Sequence, residues 1–113
     1  MTTGIDIHDI HAVTERIEQA IAARIAAVTR EKHWVTHYGA NHIHPRHLVY
    51  WICVQSDAEK KRLQSDQELC RSLRSLLREY RYPIEGRDGV HIGFESQETV
   101  DRESGGNWWY HWR

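Results

Sequence analysis

The stretch GGNWWYHWR, residues 105–113, places Trp108, Trp109 and Trp112 within six positions, with Tyr110 among them. Gly105-Gly106 reads as a turn. Beyond it the residues alternate. A strand puts Trp108, Tyr110 and Trp112 on one face and Trp109, His111 and Arg113 on the other. The first set carries more ring area and is expected to pack into the protein. The second is expected to stay open to a partner, with Trp34, Tyr38, Tyr50 or Trp51 as neighbours on the same open face. In this reading NWWYHW is the fourth strand of a sheet.

The upstream segments supply the rest of that sheet and its cover. From about Asp6 to Val28 the chain has helical periodicity, with Ile10, Val13, Ile17, Ile21 and Val28 on one stripe and Ala20 and Ile25 beside it. Asp6 or Asp9 is placed to cap its start. HWVTHY alternates like a strand, GANHIHPRH is turn-rich, and LVYWICVQ is apolar on both faces, as a central strand requires. These two strands form a long-looped hairpin. SDAE then matches a capping box, with Ser56 as N-cap and Glu59 at N3, and SDQE repeats it at Ser65 and Glu68. The simplest outcome is a short helix over 57–63 and a longer one over 66–80. The longer helix has an apolar stripe of Leu69, Leu73, Leu76 and Tyr80, with Cys70 and Leu77 at its edge, and ends before Pro83. EGRDG is a turn, and VHIGFE is a third strand with Val90, Ile92 and Phe94 inward. SQETVDRE either extends that strand or makes a helical turn.

The expected fold class is therefore α+β. One domain over residues 1–113 holds a two-layer antiparallel sheet with two helices on one face, in the order α-β-β-α-β-β. This is a circular permutation of the ferredoxin-like order and buries both helical stripes at once.

Composition fits a globular chain. Of 113 residues, 40% are hydrophobic and 27% charged, and the formal net charge is -1. That balance gives no generic attraction to nucleic acid or membranes. No membrane span or secretory pattern is visible, so the expected location is cytoplasmic. Cys53 and Cys70 belong to no CxxC pair and read as reduced thiols rather than a disulfide.

Three groups of residues could carry chemistry. Nine histidines include His42, His44 and His47 in one loop, His33 and His37 just before it, and His8 and His11 one helical turn apart. Their spacing matches no zinc motif, so neither a metal nor another cofactor is expected. Arg71, Arg74, Arg78 and Arg81 recur at helical spacing. They form a basic surface stripe that could contact phosphates or an acidic protein, or simply stay solvated. Glu95, Glu98, Asp101 and Glu103 crowd the segment before the aromatic tail. No nucleophile elbow, phosphate loop or dinucleotide fingerprint accompanies them, so the chain does not read as an enzyme.

With its small α+β architecture and the acidic-aromatic segment ESQETVDRESGGNWWYHWR, the chain resembles small uncharacterised bacterial proteins and the immunity proteins of toxin–immunity systems, including contact-dependent growth inhibition. The resemblance implies a non-enzymatic cytosolic protein that neutralises a toxin domain, often a nuclease. No functional residue is carried over from that family. From the segment itself, the expected contact residues are Glu95, Glu98, Asp101, Trp109 and His111. The alternative is an RNA- or nucleotide-binding module using Arg71, Arg74, Arg78 and Arg81. A homodimer through the open aromatic face is a further alternative.

Overall fold

The computed structural model describes residues 7–112 and, of their side chains, those of residues 10–112. Helix α1 (Ile7–Ala26) forms where the 3–4 spacing of isoleucines predicts it. Ile10, Val13, Ile17, Ile21 and Ile25 are all buried. Val28, expected on this stripe, lies beyond the helix end and is 38% exposed. Asp6, the side chains of His8 and Asp9, and Arg113 lie outside the described residues.

Strand β1 (Trp34–Tyr38) pairs antiparallel with β2 (Val49–Val54), which bears out the expected hairpin. The loop between them turns at Gly39, whose φ of +114° suits glycine alone, and whose missing side chain leaves room for the carbonyl of His47. Two helices follow β2, α2 (Asp57–Gln64) and α3 (Gln67–Glu79). Ser56 caps α2 as its spacing predicts, accepting from the Glu59 N–H at 3.1 Å. The second cap is displaced by one residue. Asp66, not Ser65, accepts from the Leu69 N–H at 3.0 Å. Leu69, Leu73, Leu76 and Leu77 of α3 are buried, whereas Tyr80, expected among them, is exposed. A 3₁₀ turn over Ile84–Gly89 leads into β3 (His91–Ser96).

The fold is α+β, with a three-stranded mixed sheet in the order β1-β2-β3. It departs from the expected four-stranded antiparallel sheet in two ways. First, β3 runs parallel to β2. Residues 55–90 carry the chain back across the sheet through two helices, and a crossover of that length permits parallel pairing. Second, the segment after β3 takes the helical alternative over residues 97–104, and residues 108–111, expected as a strand, are helical too. Ser96 caps α4 (Gln97–Ser104), and Gly105, in the left-handed conformation at φ +59°, ends it. Asn107 then caps a single-turn helix α5 (Trp108–His111), its side chain accepting from the Tyr110 N–H. The expected fourth strand is this helix.

The register sorts the two sheet faces. His37 pairs with Tyr50, and Tyr50 with Ile92; on the same face lie Val35, Ile52, Val54 and Phe94. This face meets α1, where the Tyr50 hydroxyl donates to the Thr14 carbonyl at 2.7 Å and His37 Nδ1 lies 2.8 Å from Glu18. The leucines of α3 join the same buried cluster. Each fully buried aliphatic side chain contributes roughly 1.5–3 kcal/mol. One polar strand threads this core: buried Asn41 donates to Thr14 Oγ1, and the buried Tyr82 hydroxyl donates to the Pro45 carbonyl. The opposite face carries Trp34, Thr36 and Tyr38 beside Trp51 and Gly93, and α5 covers it. The sheet therefore has cover on both faces, unlike the two-layer arrangement expected.

Candidate functional site

The C-terminal segment docks on the sheet through its rings. Trp108 and Trp112 are four residues apart, so a helical turn aims both the same way. Trp108 meets Trp34 edge-on with centroids 4.9 Å apart, and Trp112 stacks on Trp51 at 5.6 Å with the planes 16° apart. Both geometries are favoured for aromatic pairs. Gly93 makes this possible from below. A Cβ there would come within 2.7 Å of the Trp51 ring, so Trp51 lies flat across β3 because its neighbour has no side chain. The Trp51 indole N–H donates to the Tyr38 hydroxyl at 3.0 Å, and that of Trp108 to Gln97 Oε1 at 2.9 Å. Trp34, Tyr38 and Trp51 share one face as expected, but that face is covered by Trp108 and Trp112 rather than open beside Trp109. Tyr50 is not on it, because alternation turns that residue to the other side, where it is fully buried.

A buried ionic group locks the same segment. The Glu95 side chain is only 10% exposed and receives Lys60 Nζ of α2 at 2.7 Å and His111 Nε2 of α5 at 2.8 Å. The other ring nitrogen of His111 lies 2.9 Å from Ser104 Oγ. Burial alone would raise the Glu95 pKa. The hydrogen bonds from Lys60, His111 and the Ser96 N–H outweigh it and leave the carboxyl below its ordinary value. Burial first, and then the Glu95 charge, push the nearby Cys53 thiol up to about 12. Both Cys53 and Cys70 are free thiols.

Ser104, His111 and Glu95 thus form a serine–histidine–carboxylate relay. Its surroundings do not suit acyl transfer. The next three amides are already committed, Gly105 and Gly106 to the Val100 carbonyl and Asn107 to that of Ser104. Those amides cannot stabilise an oxyanion.

The N-termini of α2 and α4 also clasp each other. Asp57 accepts from the hydroxyls of Ser96 and Thr99 and pairs with Arg102 at 2.8 Å. These contacts, with the Ser96 bond foremost, hold its carboxyl well below the ordinary carboxylate range. In return Glu98 accepts from the Asp57 N–H at 2.8 Å. Glu31 similarly accepts from Ser56 and Gln55, and the Ser56 hydroxyl bond is the main cause of its lowered pKa.

The five expected contact residues therefore divide. Trp109 is 76% exposed, and Glu98 and Asp101 are exposed on α4. Glu95 is buried and the His111 side chain is only 13% exposed, and the two are partners of each other rather than open surface groups. Tyr110, expected in the packed set, is 63% exposed instead. A helical turn explains the exchange, since it groups positions 108, 111 and 112 and turns 109 and 110 outward. Trp109 and Tyr110 are thus exposed on α5, and Glu98, Asp101 and Glu103 are exposed on α4.

The arginine stripe also divides. Arg74 donates to the carbonyls of Val90 at 2.9 Å and Arg87 at 2.8 Å, which ties α3 to the loop before β3. It is a structural strut as well as a surface charge. Arg81 lies past the helix end at φ +58°. Arg71 and Arg78 stay exposed, and Arg87, which no periodicity in the sequence marks, takes the place expected for Arg81 beside them. Among the described residues, no three His, Cys, Asp or Glu side chains converge as a metal site. Nor is any described helix long and apolar enough to cross a membrane.

Fold and site together define a small α+β domain whose sheet is capped on its second face by a docked aromatic helix. The chain matches no known family model, and comparisons with characterised proteins and with solved structures give no match.

Proposed function

We propose that this chain is a non-enzymatic partner-binding protein whose contact surface is the outer side of α4 and α5. The observation that carries this reading is the exposure of Trp109 and Tyr110 on a helix that is otherwise firmly held. Adjacent rings facing solvent from a fixed support are what an interface anchor needs, because little backbone freedom remains to be lost on binding. The exposed carboxylates of the neighbouring α4, Glu98, Asp101 and Glu103, favour a partner with a basic surface. A toxin domain acting on nucleic acid has such a surface, so the immunity-protein reading is the specific form we favour, with the cytoplasm as its site of action.

The test is capture with the full chain from nuclease-treated lysate of the source cells, comparing the wild type with a Trp109→Ala/Tyr110→Ala variant. A basic protein retained by the wild type and lost by the variant supports the reading. The same partners retained by a fully folded variant would overturn it. Growth rescue on co-expression with a toxin encoded beside this gene, abolished by the same pair of substitutions, establishes the immunity form.

A further inference from the structure

Apart from this surface, the molecule has a cleft of about 310 Å³ between α3 and the 3₁₀ turn, lined by Arg71, Arg74, Ser75, Leu77, Arg78, Arg87 and Asp88. Four guanidinium groups face one carboxylate there, in a chain whose formal net charge is -1. Among the described residues, no ion pair engages Arg71, Arg78 or Arg87. Elsewhere in the protein Arg24, Arg62 and Arg102 each have a carboxylate partner. What distinguishes the cleft is that three guanidinium groups, unpaired among the described residues, line one small volume with a single carboxylate.

The walls of the cleft are also fixed. Arg71, Arg74 and Arg78 rise on successive turns of one helix. Arg74 spans the floor through its two carbonyl bonds, and the Arg87 Nε donates to the Tyr82 carbonyl at 2.6 Å. The turn carrying Arg87 is seated against the Pro45–His47 turn, where a side chain at Gly86 or Gly89 would collide with Pro45 or Arg46. Arg71 and Arg78 make no side-chain hydrogen bond among the described residues, so their donor forks remain available.

We propose that this cleft binds the phosphate group of a phosphomonoester. Paired guanidinium forks match the oxygens of a doubly charged phosphate in geometry and charge. None of the lining residues is aromatic, so the cleft supplies no stacking platform for a base, and recognition is of the phosphate. The group could be carried by a free nucleotide or by a phosphorylated end of a nucleic acid, which share this chemistry. The proposal is independent of the partner surface on α4 and α5.

Calorimetric titration of the full chain tests it, with inorganic phosphate, AMP, adenosine, and one oligonucleotide with and without a 5′-phosphate. Phosphate and AMP should bind saturably and adenosine should not. Arg71→Ala with Arg78→Ala should weaken AMP at least tenfold without moving the thermal midpoint, since neither side chain supports the fold. Removing two exposed arginines elsewhere, Arg16→Ala with Arg30→Ala, should leave the affinity unchanged. Competition by the 5′-phosphorylated oligonucleotide assigns the phosphate to a nucleic-acid end, and competition by AMP alone assigns it to a free nucleotide. Failure of phosphate and AMP to saturate the protein would overturn the proposal. So would an unaltered Arg71/Arg78 variant, equal weakening by the control pair, or equal binding of the oligonucleotide lacking its 5′-phosphate.

Discussion

Gly93 sits beneath the Trp51 ring and lets an indole lie across a neighbouring strand. Gly93→Ala would force a methyl group into contact with Trp51 and with His91, whose Nε2 would lie 2.5 Å away. We expect a loss of about 1–3 kcal/mol, as overpacking usually costs, read as a lower urea midpoint. An unchanged midpoint would mean that Trp51 is free to move aside. The neighbouring tryptophans make a sharper pair. Trp108→Ala removes the ring wedged on Trp34 and the Gln97 bond, and should cost about 3 kcal/mol, the low end for large aromatics because the ring is partly exposed. Trp109→Ala should stay within about 0.5 kcal/mol, as surface changes do. Equal losses in the two urea melts would show that Trp109 is packed. Of these residues, Trp109 is exposed as expected but through a helical turn rather than the strand alternation that suggested it, and the role of Gly93 was not legible. A glycine in a strand announces a close approach without saying what approaches.

Whole elements were legible where a period is long or a cap is chemically explicit. The isoleucines of α1 repeat over five turns, and the break between α2 and α3 falls where two polar capping patterns follow each other. The doubly apolar LVYWICV is indeed the central strand. The C-terminal segment misled because six residues rich in rings satisfy a period of 2 and a helical turn almost equally well. Its decisive signals were not the rings but Gly105, able to end one helix, and Asn107, able to start the next. Parallel pairing of β3 leaves no local trace at all, since strand direction follows from the path of the connection. Caps can be weighed directly. Asn107→Ala should destabilise the docking of α5 by about 1 kcal/mol, seen as faster amide exchange in residues 108–112. Asp66→Ala should cost about 1 kcal/mol in thermal melts, and Ser65→Ala clearly less, because only Asp66 reaches the Leu69 N–H. The reverse order would restore Ser65 as the cap.

At the scale of the molecule, carboxylates join the elements together. Glu95 links β3 to α2 and α5, Asp57 links α2 to α4, and Glu31 holds the start of α2. Glu59, bound by Arg62 and then by Thr29, is lowered to about 2. All four are more acidic folded than unfolded, so their contribution is present above their unfolded values, near 4 to 4.5, and is lost as pH falls through the lower folded values. The thermal midpoint should therefore drop steeply between about pH 4.5 and pH 2, and Glu95→Gln should lower the plateau and flatten that slope. A midpoint that holds steady to pH 2 would refute this. The tail that Glu95 fastens has one more consequence, an optical one. Four indoles, Trp34, Trp51, Trp108 and Trp112, lie within about 6 Å of one another in successive pairs, two from the sheet and two from α5 and its C-cap. Transition dipoles that close couple, so the docked state carries an exciton signature in circular dichroism that vanishes when α5 lifts away, even with the sheet intact. The protein thus has a built-in reporter on its own clasp, and the opening of that clasp can be timed without any added label.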